Sequence, residues 1–323
     1  MPSSRVPFSF ELYPPRTPDR VAALEDTIRQ LAAAEPDFIS VTFGAGGSTG
    51  GASLEVLRWI LHNTSVEPLA HLTCVGNDYA TASALIREFL DAGIRRFLAV
   101  RGDPPIGTRE GDEFLGDLRT SAELVQLIHR VQAERAPYGE SAIPGHPDAA
   151  RVTRRPLARV AVAAFPNGHP RSRFASEHID ALLAKQAAGA DSAITQLFFH
   201  AEDYLSFVDR ARAAGVTIPI IPGIMPVTSP LRLTRMLALS GEPMPNELAI
   251  ALEVEPTKEG QREVGISSAA ALAREVVAGG APSVHLYAFN AHQAVLQVLR
   301  EAGLLDHETT PVGAARHNQG DTA

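Results

Sequence analysis

The chain has 323 residues, 45% hydrophobic and 20% charged, which is ordinary globular usage and excludes a disordered or fibrous class. Acidic residues outnumber basic ones 37 to 29, for a formal charge of −8, and Lys and Arg form no long run, which speaks against nucleic acid as a partner. A single cysteine, Cys74, excludes an internal disulfide framework, and no apolar run approaches the length of a membrane span, so a cytoplasmic protein that uses neither membrane nor metal is expected.

In chain order, apolar strand-like runs occur at 8–12, 38–43, 69–75, 97–100, 160–165, 193–199, 218–224 and 284–289. Most are separated by stretches with helical spacing, such as Leu85, Ile86, Phe89 and Leu90. Strand and helix in alternation predict a parallel sheet, and eight units predict a (β/α)8 TIM barrel, which can reach this length as one domain. Four helices are expected to stop at glycines 93, 189, 215 and 279, where a left-handed residue closes the helix. Residues 135–156, rich in Pro and Gly, read as a long surface excursion before the fifth strand, and 246–252 as an additional helix. The expected division is a single barrel over 1–306 and a polar, frayed tail over 307–323.

Barrel chemistry sits at the C-terminal ends of the strands. Those ends present Glu11, Thr42, His71 with Thr73, Arg101 with Asp103, Phe165 with His169, Gln196, Met225, and Tyr287 with Asn290. The run RRFLAVRGDPP joins a buried strand to a charged tip stopped by two prolines; a salt-bridged turn is its plainer reading. Glu11, set between aromatic residues in FSFELY, is the leading candidate, because desolvation favours a protonated carboxyl that can act as an acid. The alternative is a structural ion pair with Arg16 or Arg101. The glycine-rich turn after the second strand departs from GxGxxG spacing, and His71 lacks the companions of a metal site, so a hydrogen bond to ligand or core is its better reading. Lys185 lies within a helical stretch rather than at a strand end, which reads as a solvated helix lysine and speaks against a Schiff base.

Seven segments in this order, FSFELYPPRT, FISVTFGAGGS, HLTC, AVRGDPP, AAFPNGHP, AGADSAITQLFF and PIIPGIMPV, resemble the bacterial type of methylenetetrahydrofolate reductase. The resemblance covers nearly the whole chain. It implies a (β/α)8 barrel with FAD, NADH or NADPH as hydride donor, and reduction of 5,10-methylenetetrahydrofolate to 5-methyltetrahydrofolate. It further implies that Glu11 is the general acid, that Asp103 lies between flavin and pterin, and that Glu11, Asp103, Gln196 and Tyr287 meet the substrate. Thr42, His71, Arg101, Gly102, Asp103, Phe165, His169 and Lys185 would meet the flavin, which moves Lys185 from surface to site. Partners would be the small molecules alone, a reduced folate and NAD(P)H, with a homo-oligomer left open.

Several positions depart from the family pattern. Thr120 or a neighbour replaces an aromatic residue, and Phe165 a tyrosine. His178 and Ala181 stand for aspartate and asparagine, Ala291 for arginine, and Pro230 for an aromatic. These departures motivate a second reading, the same reduction by direct hydride transfer without flavin. A barrel lyase or aldolase, and a non-catalytic ligand-binding barrel, are readings of other classes.

Overall fold

The computed structural model describes residues 5–43, 50–102, 115–135, 138–143, 146–154, 157–169 and 177–306. Eleven strands appear among them: β1 Phe8–Leu12, β2 Phe38–Val41, β3 Glu67–Thr73, β4 Arg96–Val100, β5 Tyr138–Ile143, β6 His146–Arg154, β7 Arg159–Ala164, β8 Ser192–Thr195, β9 Ile220–Ile221, β10 Gly223–Ile224 and β11 Val284–Tyr287. The helices are α1 Val21–Ala32, α2 Gly50–Asn63, α3 Tyr79–Asp91, α4 Ser121–Ala133, α5 Glu177–Ala187, α6 Ala201–Ala213, α7 Pro230–Ser240, α8 Asn246–Val254, α9 Lys258–Ala278 and α10 His292–Glu301.

Nine strands form one parallel sheet, ordered β10-β11-β1-β2-β3-β4-β7-β8-β9. Only Pro222 separates β9 from β10, and β9 bonds to β8 while β10 bonds to β11. They are two halves of one seventh strand, so the sheet runs round eight positions as a barrel. Pro222 interrupts the ladder because it has no N–H to give, although its carbonyl still accepts from His285 N at 2.9 Å.

Strand alternation sorts the side chains. Phe8, Phe10 and Leu12 of β1, Ile39 and Val41 of β2, and Ala70 and Leu72 of β3 face the helices in the large outer core. The intervening residues Phe38, Leu69, Leu98, Ala161, Ile194 and Ile221 make a small apolar plug inside the barrel. Ser9, Glu11, Ser40 and His71 share that inward phase, so the same alternation places polar groups inside.

The excursion before the fifth barrel strand is not merely a loop. It holds an antiparallel hairpin, β5 with β6, pairing Tyr138 with Arg154 through Ile143 with His146. Helices stop as expected at Gly93, Gly189 and Gly215, all with positive φ, but the fourth stop falls one residue late: Gly279 has φ −78° and Gly280 φ 94°. The additional helix exists as α8. The tail from 307 lies outside the described residues.

Ring closure depends on Gly223. A Cβ there would lie 2.3 Å from the Thr195 carbonyl oxygen and 2.7 Å from the Tyr287 hydroxyl. We expect Gly223→Ala to lower unfolding free energy by about 1–3 kcal/mol, the usual cost of overpacking. Urea midpoints measure it, and an unchanged midpoint would show that the seam yields.

Candidate active site

Glu11 is the fourth residue of β1 and points inward, its side chain 13% exposed. Its Oε2 lies 3.5 Å from His71 Nε2 and 3.8 Å from His285 Nε2. The ion-pair partners of Glu11 among the described residues are thus imidazoles, in place of the arginine weighed as the structural alternative. His285 is fully buried and held from both sides: its Nδ1 meets Ser9 Oγ at 2.8 Å, and its ring stacks on Phe38 at 5.7 Å. Parallel register sets this arrangement, pairing Ser9 with His285 and Glu11 with Tyr287.

Burial holds His71 below the ordinary imidazole range, offset in part by the Glu11 charge. His71 is therefore a neutral imidazole near neutral pH. Burial, then the charge of Glu11, raises the Tyr287 phenol well above its usual value, and its hydroxyl donates to the Thr195 carbonyl at 2.7 Å. Among the described residues no three His, Cys, Asp or Glu side chains are arranged to hold a metal ion.

Other expected residues gather at the same mouth. Thr42 follows β2; its Oγ1 is buried without a hydrogen-bond partner among the described residues, as are His71 Nε2 and Ser40 Oγ. Gly102 follows β4 with φ 83°, and a Cβ there would press on Val75 Cγ2 at 2.6 Å. Arg101 beside it is exposed. Asp103 lies outside the described residues. Phe165, just past β7, meets His169 edge-on at 4.9 Å. Gln196 follows β8, and its Oε1 accepts from Leu197 N at 2.9 Å. Met225 is buried with Leu197, Val227, Leu233 and Leu252, in a cluster against which Tyr287 and Phe289 pack. Asn290 is a clamp: its side chain accepts from Tyr13 N at 2.9 Å and donates to Tyr13 O at 3.0 Å.

Lys185 corrects the reading of a solvated helix lysine. It points from α5 back to β7, where Nζ donates to the Ala163 carbonyl at 2.7 Å and lies 5.9 Å from the centre of the Phe165 ring. Burial pushes its ammonium down to about 8. Helical spacing alone could not reveal this, because a lysine stem can lie along apolar surface in either direction.

Two departures acquire structural roles. Thr120 is the N-cap of α4, in a capping box with Glu123, so a hydroxyl there stabilises a helix end. His178 is buried against Phe207 at 5.7 Å with neither ring nitrogen hydrogen-bonded among the described residues, whereas Ala181 is exposed. Sequence reading missed Ser9, Ser40 and His285, although the alternation in FSFEL, FISV and VHLY carries all three.

Taken together, the mouth offers a buried Thr42 hydroxyl with no hydrogen-bond partner among the described residues, a desolvated Lys185 ammonium and the Phe165 ring. That set fits a flat, anionic ligand such as a flavin dinucleotide.

A family profile described as methylenetetrahydrofolate reductase matches residues 2–303. The chain belongs to the methylenetetrahydrofolate reductase family. It is 30% identical over 312 residues to methylenetetrahydrofolate reductase (NADH) 1 of Zea mays, covering 94% of this chain but 49% of that protein. The chain thus spans about half the length of that plant relative. Against the 5,10-methylenetetrahydrofolate reductases of Pectobacterium carotovorum and Escherichia coli it is 30% and 29% identical, covering 88% and 87% of this chain and 86% of each relative. An uncharacterized Clostridium thermocellum protein that binds two copies of 5-methyl-5,6,7,8-tetrahydrofolic acid shares the fold, with a TM-score of 0.58, 13% identity, and coverage of 92% of this chain and 93% of that one. No described helix is long and apolar enough to cross a membrane.

Lys185 yields a pH prediction for the ligand-free chain. The native ammonium titrates near 8 and the unfolded one near 10.5, so the unfolded state binds more protons between these values. The stability difference, parent minus Lys185→Met, is expected to rise with pH across that window. Urea midpoints at several pH values measure it, and a flat difference would mean a solvated amine.

Proposed function

We propose that the protein reduces 5,10-methylenetetrahydrofolate to 5-methyltetrahydrofolate with hydride from NADH or NADPH. The observation that carries this reading is Glu11, a carboxyl inside the barrel of a family member, facing two imidazoles and little solvent.

The chemistry requires one hydride and one proton. Hydride adds to the methylene carbon, and the ring nitrogen that leaves this carbon must be neutralised as the bond opens. Glu11 supplies that proton. The carboxylate left behind faces His71 and His285, whose ring N–H groups can stabilise it; Ser9 and Phe38 keep the His285 ring aimed at it. Tyr287 stays protonated and offers its ring face, since its hydroxyl is committed to Thr195. Gln196, with Oε1 held by its own chain, has two N–H donors for acceptors on the substrate. Asp103 is assigned to the substrate by resemblance.

FAD, when bound, provides a two-electron carrier between the nicotinamide and the folate. Thr42, His71, Arg101, Gly102, Asp103, Phe165, His169 and Lys185 would hold it. The buried Thr42 hydroxyl, with no hydrogen-bond partner among the described residues, supports that assignment. A second reading, direct hydride transfer from the nicotinamide, draws on the exposed Ala181 and on His178, whose ring packs on Phe207. An absorption band near ~450 nm in the purified protein separates the two, because oxidised flavin is coloured and the nicotinamide couple is not. The colourless outcome with turnover retained selects the second.

Glu11→Gln keeps the volume of the side chain and much of its hydrogen bonding but removes the acid. Turnover of methylenetetrahydrofolate is expected to fall about 10²–10⁴-fold, the usual worth of a positioned general acid. The dissociation constant for 5-methyltetrahydrofolate should move only a few-fold. Stopped-flow and equilibrium titration measure the two quantities; unimpaired turnover would remove Glu11 from the proton-donor role.

A further inference from the structure

Three arginines gather at the rim beside Tyr13. Arg16 follows β1, while Arg232 and Arg235 sit three residues apart on α7 and so share one helix face. All three act electrostatically on the Tyr13 hydroxyl. Among the described residues none of the three forms an ion pair, in a chain with 37 acidic residues and a net charge of −8.

Arg232 is the most informative of them. Its guanidinium lies 4.7 Å over the Phe289 ring, and Phe289 packs on Tyr13 at 5.1 Å. It is half-buried and stands in the first turn of α7, which carries no acidic residue. A cation at a helix N-terminus opposes the helix dipole, and partial burial removes water from it. Both costs disappear when an anion docks. The platform under the cation is rigid for an independent reason: Phe289 and Asn290 both hold left-handed backbone, φ 48° and 59°, and Asn290 fixes the turn by its two bonds to Tyr13. Such backbone is costly for residues other than glycine and concentrates at ligand sites. Ala291, next in sequence, contributes no charge, so at this end of the barrel the charge comes from α7 and Arg16.

We infer that Arg232, with Arg16 and Arg235, binds the carboxylates of the folate substrate, whose adjoining aromatic ring packs on the Phe289–Tyr13 platform. This rests on the proposed function and adds the group that anchors the substrate's anionic end. A dinucleotide phosphate is the other anion at hand, and the experiment separates the two.

Dissociation constants are measured on the full chain for 5-methyltetrahydrofolate, for the methyl amide of 5-methyltetrahydropteroate (below, the pteroate), which keeps the benzamide of folate but has no carboxylate, and for NADH and NADPH. The parent should prefer the folate over the pteroate. Arg232→Ala should weaken the folate roughly 10–100-fold, the scale of one charge-assisted contact, and leave the pteroate near its parent value. Arg235→Ala, on the same helix face, should give a smaller loss with the same ligand selectivity, and added salt should reduce both effects. Equal parent affinity for folate and pteroate, or equal weakening of both by Arg232→Ala, overturns the inference while leaving the folate reaction standing. Selective loss of NADH or NADPH assigns the arginines to phosphate and also overturns it. A parent that binds neither folate nor pteroate fails at the earlier step, the proposed function itself.

Discussion

The interior of an eight-position barrel holds few side chains from each strand, and every second residue must occupy it. That constraint decides the character of this protein. Five-residue β1 spends its inward positions on Ser9 and Glu11, and register then dictates their neighbours, His285 and Tyr287 from β11 and Ser40 from β2. Beneath them lies a plug of Phe38, Leu69, Leu98, Ala161, Ile194 and Ile221. A carboxyl above an apolar floor has only its lateral neighbours to answer it. Those neighbours are imidazoles, His71 at 3.5 Å and His285 at 3.8 Å from its Oε2.

The polar groups are not spread evenly round the ring. Above the plug, β11, β1, β2 and β3 contribute Tyr287, Glu11, Ser40 and His71, whereas β10 contributes Gly223. One half of the mouth therefore carries the carboxyl and the imidazole, and the other ends in Phe165 and Gln196 past β7 and β8. Where the halves meet, Tyr287 bonds to Thr195 across Gly223, so the contact that completes the barrel also fixes a residue of the candidate site. Disturbing closure and disturbing the site are, at this seam, the same event.

Much of this was legible in the chain because parallel barrel strands are short apolar runs punctuated by helix stops. All eight runs became barrel positions, and Glu11, His71 and Tyr287 come together because strand alternation and register bring them side by side. What escaped has local causes. The hairpin of β5 and β6 is rich in Pro and Gly, the composition of a loop, and its pairing is antiparallel in a chain whose other rhythm is parallel. Lys185 was placed at the site only by the resemblance, because a helix position does not say where a long side chain bends. Arg232 escaped because its significance lies in a contact with Phe289, 57 positions away, that no local pattern records.

Cys74, the only cysteine, is wholly buried, and burial pushes its thiol up to about 12. The thiolate is the species that alkylating and oxidising agents attack, so at neutral pH this sulfur is chemically silent. A cysteine placed on the surface would consequently be the sole reactive thiol of the whole molecule. The fold comes ready for site-specific labelling: a fluorophore or spin label at exposed Leu231, one residue from Arg232, would report events at the barrel mouth without first deleting the native sulfur.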